Sequence, residues 1–249
     1  MSPWRLELLR LWRTRRLIAL AVAFGAVGLG IPILDHYLPQ ILKHANSGGV
    51  RIIVPPPTAA QSLKDVANNM SSLGTLALVV VAAASLALDA RQPLATFYRS
   101  RTRDPLMLFL PRYATVTIAG VLALALGVLA AWYETAVLIT QPRAVALAGG
   151  FALEAVWICF AVATVAAWAS ITPGVLAITG ASLASLLSLA LLANIPTISS
   201  WSPTALAASM GDLAKTHHAT APWHAVIIVV PATIALLAIA ASRLTHQMR

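Results

Sequence analysis

From Ala144 to Ala169 the chain carries one charged residue, Glu154, among almost uninterrupted apolar ones. A run of this kind constrains the fold more than any short motif. It is long enough to cross the roughly 30 Å hydrocarbon core of a bilayer, which takes about 20 residues of helix. Five more runs resemble it: Leu17 to Leu34, Ser71 to Leu88, Leu106 to Ala131, Gly174 to Ala193 and Ala225 to Ser242. In lipid the backbone must satisfy its own hydrogen bonds, so each run is expected to be a helix. A barrel would need alternating polar residues, which these runs lack. The expected fold class is an all-α integral membrane protein of six transmembrane helices, with residues 1–249 as a single transmembrane domain.

Composition agrees. Of the 249 residues, 59% are hydrophobic and 10% are charged, against about 25% charged in an ordinary soluble domain. A net charge of +9 could suggest nucleic acid, but the arginines cluster beside apolar runs and form no continuous face, so nucleic acid is not an expected partner. The one cysteine, Cys159, excludes an intrachain disulfide and a cysteine-built metal site. The first apolar run lacks a small-residue cleavage site and is long enough to span, so it reads as an anchor and not as a cleaved leader.

Charge sets the expected orientation. Arg5, Arg10, Arg13, Arg15 and Arg16, the five arginines 91, 99, 101, 103 and 112, and Arg243 and Arg249 make twelve on one side. Lys43, Arg51, Lys64, Arg143 and Lys215 make five on the other. The side richer in Lys and Arg is expected to be cytoplasmic, with both termini there, in a multi-pass protein of the cell (plasma or inner) membrane.

The segments between spans carry more pattern than loops need. In "SPWRLELLRLWRTRR" Trp4, Leu8, Leu11 and Trp12 share one face at helical spacing, with Arg5, Arg10, Arg13 and Arg16 elsewhere. The expectation for residues 1–16 is an interfacial elbow helix anchored by Trp4 and Trp12, the alternative being a polar lead-in to the first span. Residues 35–70 contain "SGG" and "PPP" and are expected to form an irregular outer loop. Residues 194–224 are mildly apolar, too short to span and broken by prolines, as in a segment that dips into the membrane or lies on it. Between the second and third spans, residues 89–105 carry a basic, aromatic stretch. Pro93 suits the first position of a short helix, and Asp104–Pro105 suits the cap and first position of the next. Leu94, Phe97, Tyr98 and Arg101 stand at i, i+3, i+4 and i+7, while Arg99 and Arg103 face elsewhere.

Two stretches carry a family resemblance. "PLATFYRSRTRDPLMLFLPR" is similar to the "GTLELLLSRP-VSR-LLLGK" pattern in the coupling region of type-2 ABC exporter membrane (permease) subunits. Phe97 to Arg101 fall on "LLLSR" and Leu108 to Arg112 on "LLLGK", while Pro93, Thr96 and Thr102 depart from it. "ISSWSPTALAAS" is similar to that family's "L-x-x-L-S-P-x-x-L" segment through Trp201, Ser202, Pro203 and Leu206. The resemblance implies an elbow helix, six spans, a cytoplasmic coupling helix after the second span and re-entrant elements before the sixth. It further implies that Leu94, Phe97, Tyr98, Arg99 and Arg101 plug into a cytoplasmic ATPase subunit pair, that ATP and Mg belong to that partner, and that a second permease copy or a homologous chain completes the path. The cargo would be amphiphilic: a drug, lipid or natural product.

The residues exclude or leave open other chemistry. "GDLAKT" at 211–216 has Ala214 where a phosphate-binding loop needs glycine before lysine. "GASL" at 180–183 lacks the second glycine of a G-x-S-G protease motif, and no nucleophile–base pair stands out, so the chain is not expected to be an enzyme. Glu154 reads either as a polar point on a substrate path or as a carboxyl that keeps its proton and bonds a neighbouring helix. A proton-coupled carrier using Glu154 is the alternative to the exporter. Thr179, Ser182, Ser185 and Ser188 recur every three residues, as a helix interface or a pathway lining. His36, His44, His217, His218 and His224 match no ligand spacing, so no metal site is expected, although they keep open a haem- or metal-related exporter.

Overall fold

In a computed structural model, residues 3–45, 57–87, 106–195, 199, 201–215 and 222–247 are described. Helix α1 (Pro3–Arg13) leads through a corner into α2 (Arg16–Ala45). Arg15 turns that corner at φ 55°, in the left-handed region that a residue with a Cβ seldom enters. Then come α3 (Ala59–Asn69), a π-helical turn (Met70–Gly74) and α4 (Thr75–Leu86), stacked as one span. Next are α5 (Leu106–Leu138), α6 (Ala144–Ala169), α7 (Val175–Leu192), α8 (Thr204–Lys215) and α9 (Trp223–Gln247). The described residues are all-helical, and six of their helices are long and apolar enough to cross a membrane.

Two boundaries differ from the sequence expectation. The stretch 35–70, expected to be irregular, is helical at both ends. α2 continues through Pro39 to Ala45, and α3 covers Ala59–Asn69. Proline inside a helix costs one hydrogen bond but need not end it where neighbouring helices hold the chain. Thr58 caps α3, its hydroxyl accepting from the Gln61 amide at 3.3 Å. The face holding Ser62, Leu63, Val66 and Ala67 is buried, while Lys64 and Asp65 sit on another. An amphipathic helix like this has no continuous apolar run to betray it.

Glycine decides how closely the spans approach. A Cβ on Gly28 of α2 would fall onto the carbonyl oxygen of Gly127 on α5. A Cβ on Gly127 would lie 2.7 Å from the Phe24 carbonyl oxygen and from Met70 Cε. Backbone therefore meets backbone at this crossing, the close packing that small residues permit between membrane helices. The fully buried Phe24 ring fills the space over Gly74, where an added Cβ would stand 2.7 Å from it. The π-helical turn thus sits where the first span presses on the second.

Helix α6 is the hub, packed against α4, α5, α7, α8 and α9. Its polar ties are few. The Trp157 indole donates to Thr75 Oγ1 at 3.1 Å on α4. The Trp168 indole donates to Ser185 Oγ at 2.9 Å on α7. From α5 the Tyr113 hydroxyl donates to the Cys159 carbonyl at 3.1 Å. By contrast, the most apolar stretches of α7 and α9 are each only 17% buried, so these two helices turn most of their surface outward.

Candidate functional site

The arginine-rich end of the bundle is built around the α1–α2 corner. Leu11 of α1 is buried, whereas Trp4, Leu8 and Trp12 are exposed. The four do not act as one face: Leu11 packs inward and the two tryptophans point away from the protein. Glu7, one turn before Leu11, accepts from Arg112 Nε at 2.9 Å. Arg10 also approaches Glu7, at 3.7 Å. Arg112 is 4% exposed, so it is a structural cation inside α5 and not a loop charge. On the same corner, Arg16 Nη1 donates to Ser85 Oγ at 2.8 Å.

These bonds have a shared geometry. Ser85 lies in the last turn of α4, and Arg112 lies in the second turn of α5. The segment between those helices contains Leu94, Phe97, Tyr98, Arg99 and Arg101, which lie outside the described residues. Both helices that flank it are therefore bonded to the corner of α1 and α2. Sequence reasoning missed Glu7 and Arg112 as a pair. The available signal was a lone acid in an arginine-rich helix and a lone arginine between Pro111 and Tyr113.

Deeper in the bundle, Glu154 is 2% exposed and its Oε2 has no hydrogen-bond partner. It lies about 15 Å along α6 from Ala144, at 1.5 Å per residue, which is mid-membrane for a span of this length. Leu147, Phe151 and Glu154 follow each other at i, i+4 and i+7 on α6. Leu147 and Phe151, with Val128, Leu129 and Trp132 of α5, line an apolar groove of about 380 Å³. Glu154 thus stands one turn beyond the groove on the same side of its helix.

The hydroxyl series of α7 is not one surface. Thr179, Ser182, Ser185 and Ser188 each donate to the carbonyl four residues earlier in their own helix. A spacing of three drifts around the axis by about 60° per step, roughly half a turn over the series. Ser182 is accordingly buried and Ser188 exposed. Of the four, Ser185 bonds another helix, through Trp168.

In the segment 194–224, Ser202, Pro203 and Leu206 are buried and the Trp201 ring lies 4.7 Å from that of His224. Helix α8 packs against both α6 and α3, with Leu213 over Gly149 and Asp212 4.0 Å from Lys64. Residues 211–215 belong to α8, a continuous helix whose amides are not splayed as a phosphate cradle requires. Among the described residues no three His, Cys, Asp or Glu side chains are grouped to hold a metal. His36 packs edge-on against Tyr37. His217 and His218, and the side chain of His44, lie outside the described residues.

No family model matches the chain, and no solved structure matches it. A stretch of 158 residues, 63% of the chain, is 24% identical to the uncharacterized transmembrane protein YxlG of Bacillus subtilis (strain 168) and spans 61% of that relative. Six long apolar helices packed through glycines and a few buried polar ties, together with this likeness, make the chain a multi-pass membrane protein.

Proposed function

We propose that this chain is the membrane subunit of an ATP-driven type-2 ABC exporter. A partner pair of cytoplasmic ATPase subunits would hydrolyse ATP with Mg, and a second copy or a homologous permease would complete the path. The observation that carries this reading is the double bonding of the α1–α2 corner. Arg16 holds the end of α4 through Ser85, and Glu7 holds the start of α5 through Arg112. A segment whose flanking helices are held at one end to α2 and at the other to α1 can pass a push into the first span and the helix that leads into it. Leu94, Phe97, Tyr98, Arg99 and Arg101 are the proposed plug into the ATPase. Both termini would then be cytoplasmic, in the cell membrane. Trp4 and Trp12, exposed on α1, suit the headgroup level. The apolar groove between α5 and α6 suits the chain of an amphiphilic cargo, with Glu154 as the polar point beyond it.

The test is co-purification followed by coupling. The chain should emerge from membranes with a nucleotide-binding subunit, and ATP-driven transport by the reconstituted pair should fall at least tenfold in a Phe97→Ala/Tyr98→Ala variant. A chain that moves cargo without any ATPase would end this proposal.

The unpartnered Oε2 of Glu154 favours a second reading, a proton-coupled carrier in which that carboxyl loads and releases a proton. Transport by the lone chain that collapses with an uncoupler and ignores ATP would select it.

A further inference from the structure

The α1–α2 corner gathers positive charge. In one continuous helix, residues 10 and 16 would stand about 9 Å apart along the axis and roughly two-thirds of a turn apart around it. The corner at Arg15, with φ 55°, changes that. Arg10 and Arg112 both act electrostatically on Arg16 and repel it. Among the described residues, Glu7 is the one carboxylate that opposes them. Glu7 is itself engaged by Arg112 at 2.9 Å, with Arg10 farther off at 3.7 Å. Arg16 bonds a neutral partner, Ser85 Oγ, and has no ion-pair partner among the described residues. The fold thus holds like charges together with too little negative charge among them.

The backbone asks for the same missing group. The amides of Arg16, Leu17 and Ile18 open α2, and none of them donates to a backbone carbonyl among the described residues. The N-terminus of a long helix carries about half a positive charge, and oxyanions settle there readily. Open amides and two guanidiniums with no close carboxylate of their own therefore meet at one corner.

Depth selects the anion. Arg16 is the first residue of the first span, so these donors stand where the hydrocarbon ends and the headgroups begin. Trp4 and Trp12, exposed on α1, suit the same level. Phosphate is the oxyanion that every phospholipid brings to this depth. A zwitterionic lipid cancels that charge with its own ammonium group, whereas an anionic lipid does not. Basic pockets between membrane helices bind anionic headgroups on this ground. We propose that Arg10 and Arg16, with the first amides of α2 and the buried Arg112 behind them, seat the phosphate of an anionic phospholipid at the α1–α2 corner. The headgroup braces this joint, because Arg16 also holds α4 and Arg112 belongs to α5. The proposal does not depend on the exporter reading.

The experiment is thermal unfolding of the full chain, with any subunit that accompanies it, in nanodiscs of phosphatidylcholine alone or mixed with phosphatidylglycerol. Phosphatidylglycerol should raise Tm by about 3–8 °C and saturate with its mole fraction, as ligand linkage requires. Native mass spectrometry should show it retained about tenfold over phosphatidylcholine, since a basic residue at an anionic surface is worth about 1 kcal/mol. Arg10→Gln and Arg16→Gln should each cut both effects by more than half. Arg243→Gln should leave both intact. It removes the same charge from an exposed position near the end of α9, the last of six spans, which faces the same leaflet. In phosphatidylcholine alone, Arg10→Gln should unfold at or above the wild-type temperature, because it removes a repulsive neighbour of Arg16. Should Arg16→Gln fail to fold, Arg10→Gln carries the test. Inorganic phosphate added to phosphatidylcholine nanodiscs should leave Tm unchanged; an increment equal to that of phosphatidylglycerol would place the ligand in solution. That result, equal Tm in the two lipid mixtures, or the same loss in Arg243→Gln as in Arg10→Gln would overturn the proposal.

Discussion

Glu7 on α1 and Arg112 on α5, 105 residues apart, share a 2.9 Å ion pair that is almost closed to solvent. Breaking a buried ion pair by removing one member costs up to about 3–5 kcal/mol, and less where another charge stands by, as Arg10 does 3.7 Å from Glu7. Glu7→Gln and Arg112→Met should therefore each lower the unfolding temperature by several degrees. The double variant should recover part of that loss, because it removes both charges of the 2.9 Å pair together. A double-mutant cycle on Tm measures this directly, and strict additivity would show that the pair contributes nothing as a pair.

The Gly28–Gly127 crossing makes a sharper prediction, since backbone on both sides leaves no flexible side chain to yield. Gly28→Ala and Gly127→Ala should each force α2 and α5 apart and destabilise by about 2–4 kcal/mol, in the upper range of overpacking costs. Gly30→Ala and Gly180→Ala, where an added methyl meets nothing within 4 Å, should be neutral or slightly stabilising by helix propensity. Thermal unfolding of the four variants in one detergent or nanodisc preparation checks the contrast.

Glu154 separates the two transport readings. Glu154→Gln keeps the shape of the side chain and removes its ability to ionise. An ATP-driven exporter should keep at least a third of its transport rate in this variant. A proton-coupled carrier should lose transport by a hundredfold or more, because the exchanged proton has no other seat at that depth. Initial rates measured with and without an uncoupler distinguish the outcomes.

Orientation is checked at residue 98. In a Cys159→Ala background, Tyr98→Cys should react with a membrane-impermeant maleimide in inside-out vesicles and stay unlabelled in intact cells. The opposite pattern would invert the topology and remove the plug from reach of a cytoplasmic ATPase. Cys159 is half-buried on α6, so its replacement should cost less than about 1.5 kcal/mol, as small volume changes do.

The six spans and helix α1 were legible in the sequence because span length and charge bias are properties of one segment set against bilayer thickness. They need no knowledge of neighbours. Helix α3 was not legible, since its buried Ser62, Leu63, Val66 and Ala67 make sense only once α2 and α8 lie against them. Nor was the continuation of α2 through Pro39, which sequence treats as punctuation and packing tolerates. The α7 hydroxyls looked like a stripe in the sequence, yet threefold spacing unwinds around a helix. Arg112 counted as a loop charge until Glu7 was found beside it. What a segment does to the solvent around it is written along the chain; which polar atom meets which partner is decided by helices distant in sequence, because a contact has two sides and the chain lists only one at a time.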